Sequence, residues 1–339
     1  MHPGVQARFA TRHGLITRAE ALDLDVSPLD IAHLVRTGHW VIVRRGVYAE
    51  AALWDSLDEY AGQPLLRARA AVRKMRRSWV LSHDSSAHAL GMAILTPDEP
   101  FVHVTRPGFT GAWTEFGVKH HLARYQPEQV TVVDGLRVLD PARTAVDIAR
   151  ERGLHHGVVA CDAAMRMGTP RAALMAAYEP MRSWKGVRSA RAAVELADPG
   201  AQNAHESLGR MLVTELGYGR PETQFPLMTA IGPVWCDLRV GRHMIELDGR
   251  IKYLPPERGG VATRSVEDVV WDEKKRERLI RDEGLGVSRV HWEDYWGARR
   301  IEAKARLRAD IEETIARFGT ELPERLVRQA AEMRARWSA

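Results

Sequence analysis

The 339-residue chain contains only two cysteines, Cys161 and Cys236. They lie far apart and neither has a CxxC partner, so the sequence predicts neither a disulfide framework nor a cysteine-bound zinc ion. No apolar run approaches the roughly 20 residues of a membrane span. The first residues also lack the apolar core of a signal peptide. We therefore expect a cytoplasmic protein without a membrane partner.

The chain also lacks a strong excess of one charge. It carries 49 Lys and Arg against 44 Asp and Glu, a net charge of +5. Residues 1–60 carry 6 basic and 8 acidic side chains, whereas residues 61–150 carry 12 and 8. This distribution allows a nucleic-acid partner but disfavours strongly non-specific DNA binding. The length predicts two or three domains of a globular protein.

Residues 4–50 have the pattern of a small winged helix-turn-helix. Thr17 and Glu20 have the spacing of a capping box that opens a second helix, and Ser27-Pro28 opens a third. Residues 39–48 then alternate apolar and polar like a β-ribbon. The third helix and the ribbon supply the candidate DNA-binding residues Arg36, Arg44 and Arg45. The alternative is a winged helix that contacts only proteins, which the acidic balance of this region favours.

Three motifs in this region resemble the N-terminal domain of AbiEi-type antitoxins. They are Gly14-Leu-Ile-Thr17, Leu34-Val-Arg-Thr-Gly-His-Trp40 and Arg45-Gly-Val-Tyr48. The resemblance covers about the first 50 residues. It implies a transcriptional regulator in phage defence or a toxin–antitoxin-like system. A cognate toxin or its operator would be the partner.

Residues 61–198 are predicted to form an α+β middle domain. A helix over residues 62–80 carries six cations, of which Arg73 and Arg77 are further DNA-binding candidates. A merely solvated helix face is the alternative. Ser82-His-Asp84 cannot be a catalytic triad, because triad partners meet in space and not in sequence. His103, His120 and His121 on the following predicted strands could bind a metal, but strand alternation explains them more simply.

Three carboxylates fall on two predicted strands that are joined by a tight turn. Asp237 lies on the first strand, and Glu246 and Asp248 lie two apart on the second, so we expect one sheet face to carry all three. Carboxylates that converge on a half-buried face require a cation. Oxygen ligands without cysteine suit Mg²⁺ or Mn²⁺.

Five separated elements in this region resemble the PD-(D/E)XK nuclease superfamily, in its branch related to very-short-patch repair endonucleases. In chain order they are Glu206, Gln224, Asp237, Glu246-Leu-Asp-Gly249 and Glu273-Lys-Lys-Arg-Glu277.

The resemblance implies that Asp237, Glu246 and Glu206 bind the metal. It also implies that Gln224 donates a nearby hydrogen bond, and that Arg276 and Arg278 hold the DNA backbone. Asp248 stands where the superfamily has a lysine, so Lys252 or Lys274 would replace that cation.

The predicted fold is a multidomain α/β protein. It comprises a winged helix (1–60), an α+β middle domain (61–198), a restriction-endonuclease-like α/β domain (199–298) and C-terminal helices (299–339). The first functional hypothesis is a Mg²⁺- or Mn²⁺-dependent endonuclease that acts on double-stranded DNA. The second is an AbiEi-like antitoxin and transcriptional regulator whose nuclease fold is inactive. The amphipathic tail helices would pack on the preceding domain or on a second copy, forming a homodimer.

Overall fold

The computed structural model describes residues 3–73, 75, 78–108, 111–248 and 275–337. The chain divides into two compact units, Met1–Glu195 and Leu196–Ala339. Both units mix helices with β-sheet, as the sequence predicts. The finer division at residues 60, 198 and 298 stays a prediction. Within the described ranges, no helix combines the length and apolar character that a membrane span requires.

Four short helices and a three-stranded antiparallel sheet make up the first 56 residues. The helices are α1 Pro3–Thr11, α2 Arg18–Leu22, α3 Pro28–Arg36 and α4 Ala51–Ser56, and the strands are β1 Leu15–Thr17, β2 Trp40–Arg44 and β3 Val47–Glu50. The strand order is β1-β3-β2. Phe9, Ile31 and Trp40 pack together in its core, with the Phe9 and Trp40 rings edge to face at 5.6 Å.

Two capping boxes fix where α2 and α3 begin. The Thr17 side chain accepts a hydrogen bond from the Glu20 backbone N–H, and Glu20 accepts one from the Thr17 N–H at 2.9 Å. Ser27 and Asp30 form the same reciprocal pair at the start of α3. Each box satisfies backbone donors that a helix start leaves without partners. Both predicted helix starts are confirmed.

The rest of the first unit is a six-stranded mixed sheet with helices. Its strands are β4 Val80–Leu81, β5 Val102–Arg106, β6 Ala112–Glu115, β7 Val118–Leu122, β8 Val130–Val133 and β9 Leu136–Leu139, in the order β6-β7-β5-β4-β9-β8. Its helices are α5 Gly62–Val72, α6 His83–Leu90, α7 Pro141–Arg152, α8 Leu154–Arg166, α9 Arg171–Tyr178 and α10 Val187–Leu196.

The helix predicted over residues 62–80 is too long. Helix α5 ends at Val72, and Val80–Leu81 instead pairs with β5 and β9. Val72 and Leu81 are both buried in the core beneath this sheet. Sheet pairing and burial therefore override the helical pattern of the sequence.

The second unit is built on a four-stranded sheet. Its elements are α11 Ala204–Thr214, β10 Glu222–Thr229, β11 Gly232–Val240, β12 His243–Asp248, α12 (275–282), β13 Gly286–His291, α13 Gly297–Phe318 and α14 Glu324–Trp337. Strands β10, β11 and β12 are successively antiparallel, and β13 pairs parallel with β12. The predicted order of helix, three strands, helix and strand is confirmed. Several predicted residues lie outside the described residues, namely Arg77, Lys252, Lys274, Gly249 and Glu273.

The capping box at Thr17 yields a stability prediction. Thr17→Ala removes the side-chain acceptor for the Glu20 N–H, so we expect the free energy of unfolding to fall by about 1 kcal/mol. The control is Thr11→Ala, because Thr11 is exposed and its hydroxyl donates only to carbonyls of its own helix. Urea denaturation of the full chain measures both values. Equal losses in the two variants would contradict the assigned role of the cap.

Candidate functional site

The β10–β11 ladder is interrupted at Gln224 and Asp237. Thr223 pairs with Leu238 and Phe225 pairs with Cys236, but the residues between them do not pair. Gln224 has a φ of +49° there, a left-handed conformation that is uncommon for a residue other than glycine. Such conformations persist where the surrounding structure holds them, and they concentrate at functional sites. The interruption therefore marks the part of the sheet where a site is expected.

The Asp237 side chain also replaces a missing backbone contact on the opposite edge of β11, where this strand faces β12. The paired residues of these strands extend from Val240 and His243 to Leu238 and Ile245. Beyond them, the Asp237 carboxylate oxygen Oδ2 accepts the Leu247 backbone N–H at 2.8 Å. A side-chain acceptor thus replaces the carbonyl that a continued ladder would supply.

Glu206 lies beside Gln224 and is held by donors from two elements. Its carboxylate accepts hydrogen bonds from the Gln202 N–H at 2.8 Å, the Asn203 side-chain amide at 2.8 Å and the Gln224 amide at 3.0 Å. Asn203 also caps α11 by accepting the Glu206 N–H. Only 5% of Glu206 is exposed, so these donors replace the water that burial removes.

Gly209 and Tyr295 explain how α11 comes close enough to carry Glu206. A Cβ at Gly209 would lie 2.7 Å from a Leu247 methyl and 3.1 Å from the Tyr295 hydroxyl, so only glycine fits. The Tyr295 hydroxyl donates to the His205 carbonyl at 3.0 Å. Burial raises the pKa of that hydroxyl, and the Asp237 and Glu206 carboxylates are among the nearby charges that raise it further. These carboxylates therefore share one neighbourhood.

Glu246 is bound to Arg276. The Arg276 guanidinium donates to both Glu246 carboxylate oxygens at 3.1 Å and to the Trp235 carbonyl at 2.5 Å. Burial, and then the nearby Glu246 carboxylate, raises the pKa of the Cys236 thiol well above its ordinary value. A charge-assisted contact of this kind is strong, and a metal ion at Glu246 would have to displace it.

Asp248 lies at the far end of β12, near an arginine and a histidine of β13. Its Oδ2 is 3.7 Å from an Arg289 guanidinium nitrogen and 3.9 Å from His291 Nδ1. A cleft of about 30 Å³ lies between β12 and α12 and is lined by Glu246, Asp248, Arg276 and Arg289 among others. That volume admits about two water-sized species.

The structure thus brings together only some of the predicted catalytic residues. Glu206 and Gln224 are in contact and share surroundings with Asp237, whereas Glu246 and Asp248 are each matched to an arginine. Among the described residues each of these carboxylates has a protein partner, and metal binding by Asp237, Glu246 and Glu206 stays a prediction. Arg276, expected on DNA backbone, contacts Glu246, and Arg278 is exposed.

The predicted DNA-binding residues of the first unit fall into two groups. Arg36 and Arg45 are exposed. Arg44 is half-buried, and this burial lowers the pKa of its guanidinium while the Glu115 carboxylate raises it. Arg73 donates to Glu20 at 2.5 Å and 18% of its side chain is exposed, so a phosphate would compete with Glu20 for this guanidinium. This ion pair joins the C-terminal end of α5 to Glu20 on α2.

Comparison with known proteins supports the predicted resemblance of the N-terminal region. Residues 5–51 match the family model described as a transcriptional regulator, AbiEi antitoxin. The chain is 33% identical over 104 residues to two uncharacterized Mycobacterium tuberculosis proteins, Rv2248 of strain ATCC 25618 / H37Rv and MT2308 of strain CDC 1551 / Oshkosh. The match spans 30% of this chain and 38% of the length of each relative.

The crystal structure of the RV2827C protein from Mycobacterium tuberculosis is also similar to this chain. The similarity covers 61% of this chain and 78% of that chain, with a TM-score of 0.38 and 15% sequence identity. At this TM-score the likeness carries no argument about function. The resemblance to the PD-(D/E)XK superfamily stays a prediction.

His243 gives the C-terminal unit a pH-dependent stability. Burial lowers the pKa of this imidazole to about 4, and its nitrogens contact the Thr314 hydroxyl at 2.7 Å and the Ser288 hydroxyl at 2.9 Å. The folded pKa lies below the unfolded one of 6.5, so the unfolded chain binds the proton first. Stability is therefore complete above pH 6.5 and is lost as the pH falls from 6.5 towards 4, by roughly 1 kcal/mol at pH 5.5.

His243→Asn removes this titrating group, so we expect the difference in unfolding free energy between pH 7.5 and 5.5 to shrink by about 1 kcal/mol. His291→Asn is the control, because 53% of that side chain is exposed. Urea denaturation at both pH values supplies the comparison. An unchanged pH dependence in His243→Asn would refute the assignment.

Proposed function

We propose that this protein is a DNA-binding transcriptional regulator of the AbiEi antitoxin type, in which residues 5–51 form a winged helix. The observation that carries the proposal is the family match over these residues. Its partners would be operator DNA and a cognate toxin. The proposal applies to the whole chain, whereas the family match covers only residues 5–51.

The geometry of the first 50 residues suits this role. Helices α2 and α3 follow each other across a short turn, and the β2–β3 ribbon stands where a wing would be. Along α3, Leu29, His33 and Arg36 are all exposed, with 82% of Leu29 accessible. An exposed leucine near the start of a recognition helix could contact a thymine methyl, and a histidine or arginine could donate to base or phosphate oxygens.

Binding to a protein is the competing use of the same surface. The net charge of −2 over residues 1–60 and the exposed Leu29 suit a protein partner as well. The two uses differ in their dependence on salt. Binding to DNA releases counterions, so its affinity falls steeply as the salt concentration rises.

Arginine variants test the proposal on a duplex from upstream of the protein's own gene. We expect Arg36→Ala and Arg45→Ala each to weaken binding and to reduce the salt slope by about 1. The control is Arg182→Ala, an exposed arginine that pairs with Glu179. Fluorescence anisotropy at several salt concentrations measures affinity and slope. Binding that neither N-terminal variant alters would reject this surface as the DNA interface.

The second candidate function is a metal-dependent phosphodiesterase in the C-terminal unit. The observation that favours it is the interrupted ladder, which places Gln224 on Glu206 beside Asp237. Asp237, Glu246 and Glu206 would hold Mg²⁺ or Mn²⁺, which would activate a water molecule and offset charge on the attacked phosphate. Gln224 would orient Glu206, as it does in the structure. The donor set fits such an ion only after Glu246 leaves Arg276.

Competition between Arg276 and a metal ion makes this second candidate testable. We expect Arg276→Ala to raise Mn²⁺ affinity, because it removes a competing cation from Glu246, and Asp237→Ala to abolish Mn²⁺ binding. The control is Glu302→Gln, an exposed carboxylate on α13. Titration calorimetry measures binding, and nicking of supercoiled plasmid measures activity. Equal binding heats in the wild type and Asp237→Ala, together with no plasmid nicking, would reject the nuclease hypothesis and retain the regulator.

A further inference from the structure

Three histidines meet inside the first unit. His83 begins α6, His103 lies on β5 and His121 lies on β7. Their exposed fractions are 4%, 1% and 9%. Each offers one ring nitrogen, and the three nitrogens all lie within 4.8 Å of one another. Among the described residues, these three histidines are the group of three potential metal ligands whose ligand atoms lie this close together.

The sheet register explains how two of these rings come to face each other. Strands β5 and β7 are parallel neighbours, with His103 opposite Lys119 and Thr105 opposite His121. His103 and His121 are therefore two positions apart on the same face. Their rings are nearly coplanar, at 12°, and His103 Nδ1 lies 3.0 Å from His121 Nε2. This distance is that of a hydrogen bond between the two rings, and the tautomers decide which ring donates.

His83 completes the group from the neighbouring helix. Its ring lies parallel to that of His121, with centroids 4.1 Å apart. Its φ is +51°, a conformation uncommon for a residue with a side chain. Its Nδ1 is 3.0 Å from the Ser82 hydroxyl, so its Nε2 is the nitrogen left for a ligand. A strained residue placed over two facing imidazoles is typical of a functional site rather than of simple packing.

Burial lowers the pKa of His121 to about 4 and the pKa values of His83 and His103 well below the ordinary value, which disfavours the charged form of each ring. The Arg152 guanidinium holds the nearby Asp84 carboxylate, and its Nη2 lies 3.5 Å from His103 Nε2. A metal ion at this cluster would therefore have to compete with Arg152 for Asp84.

We propose that His83, His103 and His121 bind a divalent transition-metal ion of the zinc class, with Asp84 as the group that orients His103. Asp84 Oδ2 lies 3.6 Å from His103 Nε2. A neutral His103 that binds the metal through Nδ1 carries its proton on Nε2, the nitrogen nearest Asp84. A carboxylate behind a ligating histidine in this way is a common feature of zinc sites.

The present spacing is close to that of a zinc site. Zn–N bonds of about 2.0–2.1 Å in a tetrahedron place ligand nitrogens roughly 3.3 Å apart. The His103–His121 pair at 3.0 Å must open slightly, and His83 must turn out of its stack towards them. Three imidazoles would leave the fourth position to water, as in catalytic zinc sites. A cavity of about 350 Å³ is lined in part by Asp84 and Ser85, which follow His83 in the chain.

The full-length protein, treated with a chelator and titrated with Co²⁺, tests the proposal through the visible absorption bands of the ion. We expect one bound equivalent, displaced by Zn²⁺, in the wild type. His103→Asn and His121→Asn should weaken binding by more than the roughly 10–100-fold that loss of an orienting partner costs. Asp84→Asn should weaken Co²⁺ binding by roughly 10–100-fold.

Two controls separate this site from others. His120→Asn should leave Co²⁺ binding unchanged. His120 is adjacent to His121 on β7 and therefore faces the opposite side of the sheet, where it stacks on Trp113 with ring centroids 4.6 Å apart. Asp237→Ala should also leave it unchanged, so the result does not depend on the C-terminal carboxylates. Co²⁺ binding that survives both His103→Asn and His121→Asn would overturn the proposal.

X-ray absorption of the wild-type zinc protein covers the case in which a histidine variant fails to fold. The expected spectrum shows multiple scattering from three imidazoles around the ion, with Zn–N distances of about 2.0–2.1 Å. A shell dominated by carboxylate oxygens, or no stoichiometric zinc, would overturn the assignment.

Discussion

A carboxylate that folding withdraws from water must be compensated by donors or cations, and this requirement organises the C-terminal unit. Glu206 is compensated by donors from the segment before α11 and from β10, Asp237 by a backbone N–H of β12, and Glu246 by a guanidinium of α12. Each contact joins two different elements, so the same bonds that solvate the charges also set the position of α11 and α12 on the sheet. Removing one partner would leave an uncompensated charge, which costs more than the pair itself contributes.

The first unit meets the same constraint in two ways. Where charges are buried, they are paired, as when Arg143 and Arg150 hold Asp147 at 2.9 and 3.0 Å. Where the three imidazoles cluster, burial lowers their pKa values and disfavours the charged form of each ring. The fold therefore accommodates the cluster among its ion pairs without a metal.

The sequence predicted what depends on neighbours along the chain. The capping boxes at Thr17 and Ser27, the ribbon after α3 and the order of elements around the carboxylate strands all follow from local patterns. It also predicted that Glu206 and Gln224 belong with Asp237. What it could not predict is the partner of each side chain, because that depends on contacts between distant elements. Arg276 illustrates this limit, since no local pattern shows that α12 directs its guanidinium at Glu246.

The histidine cluster shows a second limit of sequence reasoning. Strand alternation explained His103 and His121 separately, but their meeting requires that β5 and β7 be parallel neighbours. His83 belongs to an unusual Leu81-Ser-His-Asp-Ser-Ser segment, and its left-handed backbone is visible only in the structure. The sequence feature that could have indicated this site is a run of polar residues flanked by apolar residues. Six consecutive positions from Leu81 to Ser86 are buried, five of them polar.

The ligand types of the two candidate metal sites keep them chemically distinct. Carboxylate oxygens favour Mg²⁺ or Mn²⁺, whereas imidazole nitrogens favour zinc-class ions. In the C-terminal unit, Arg276 already neutralises Glu246, so the sheet requires no ion to be stable, and an ion must compete with a fixed cation. In the first unit, the Arg152 guanidinium also lies beside the candidate ligands, with Nη2 3.5 Å from His103 Nε2. A DNA-binding regulator is therefore compatible with the C-terminal unit as it stands, whereas a nuclease requires Glu246 to exchange a guanidinium for a metal when substrate binds.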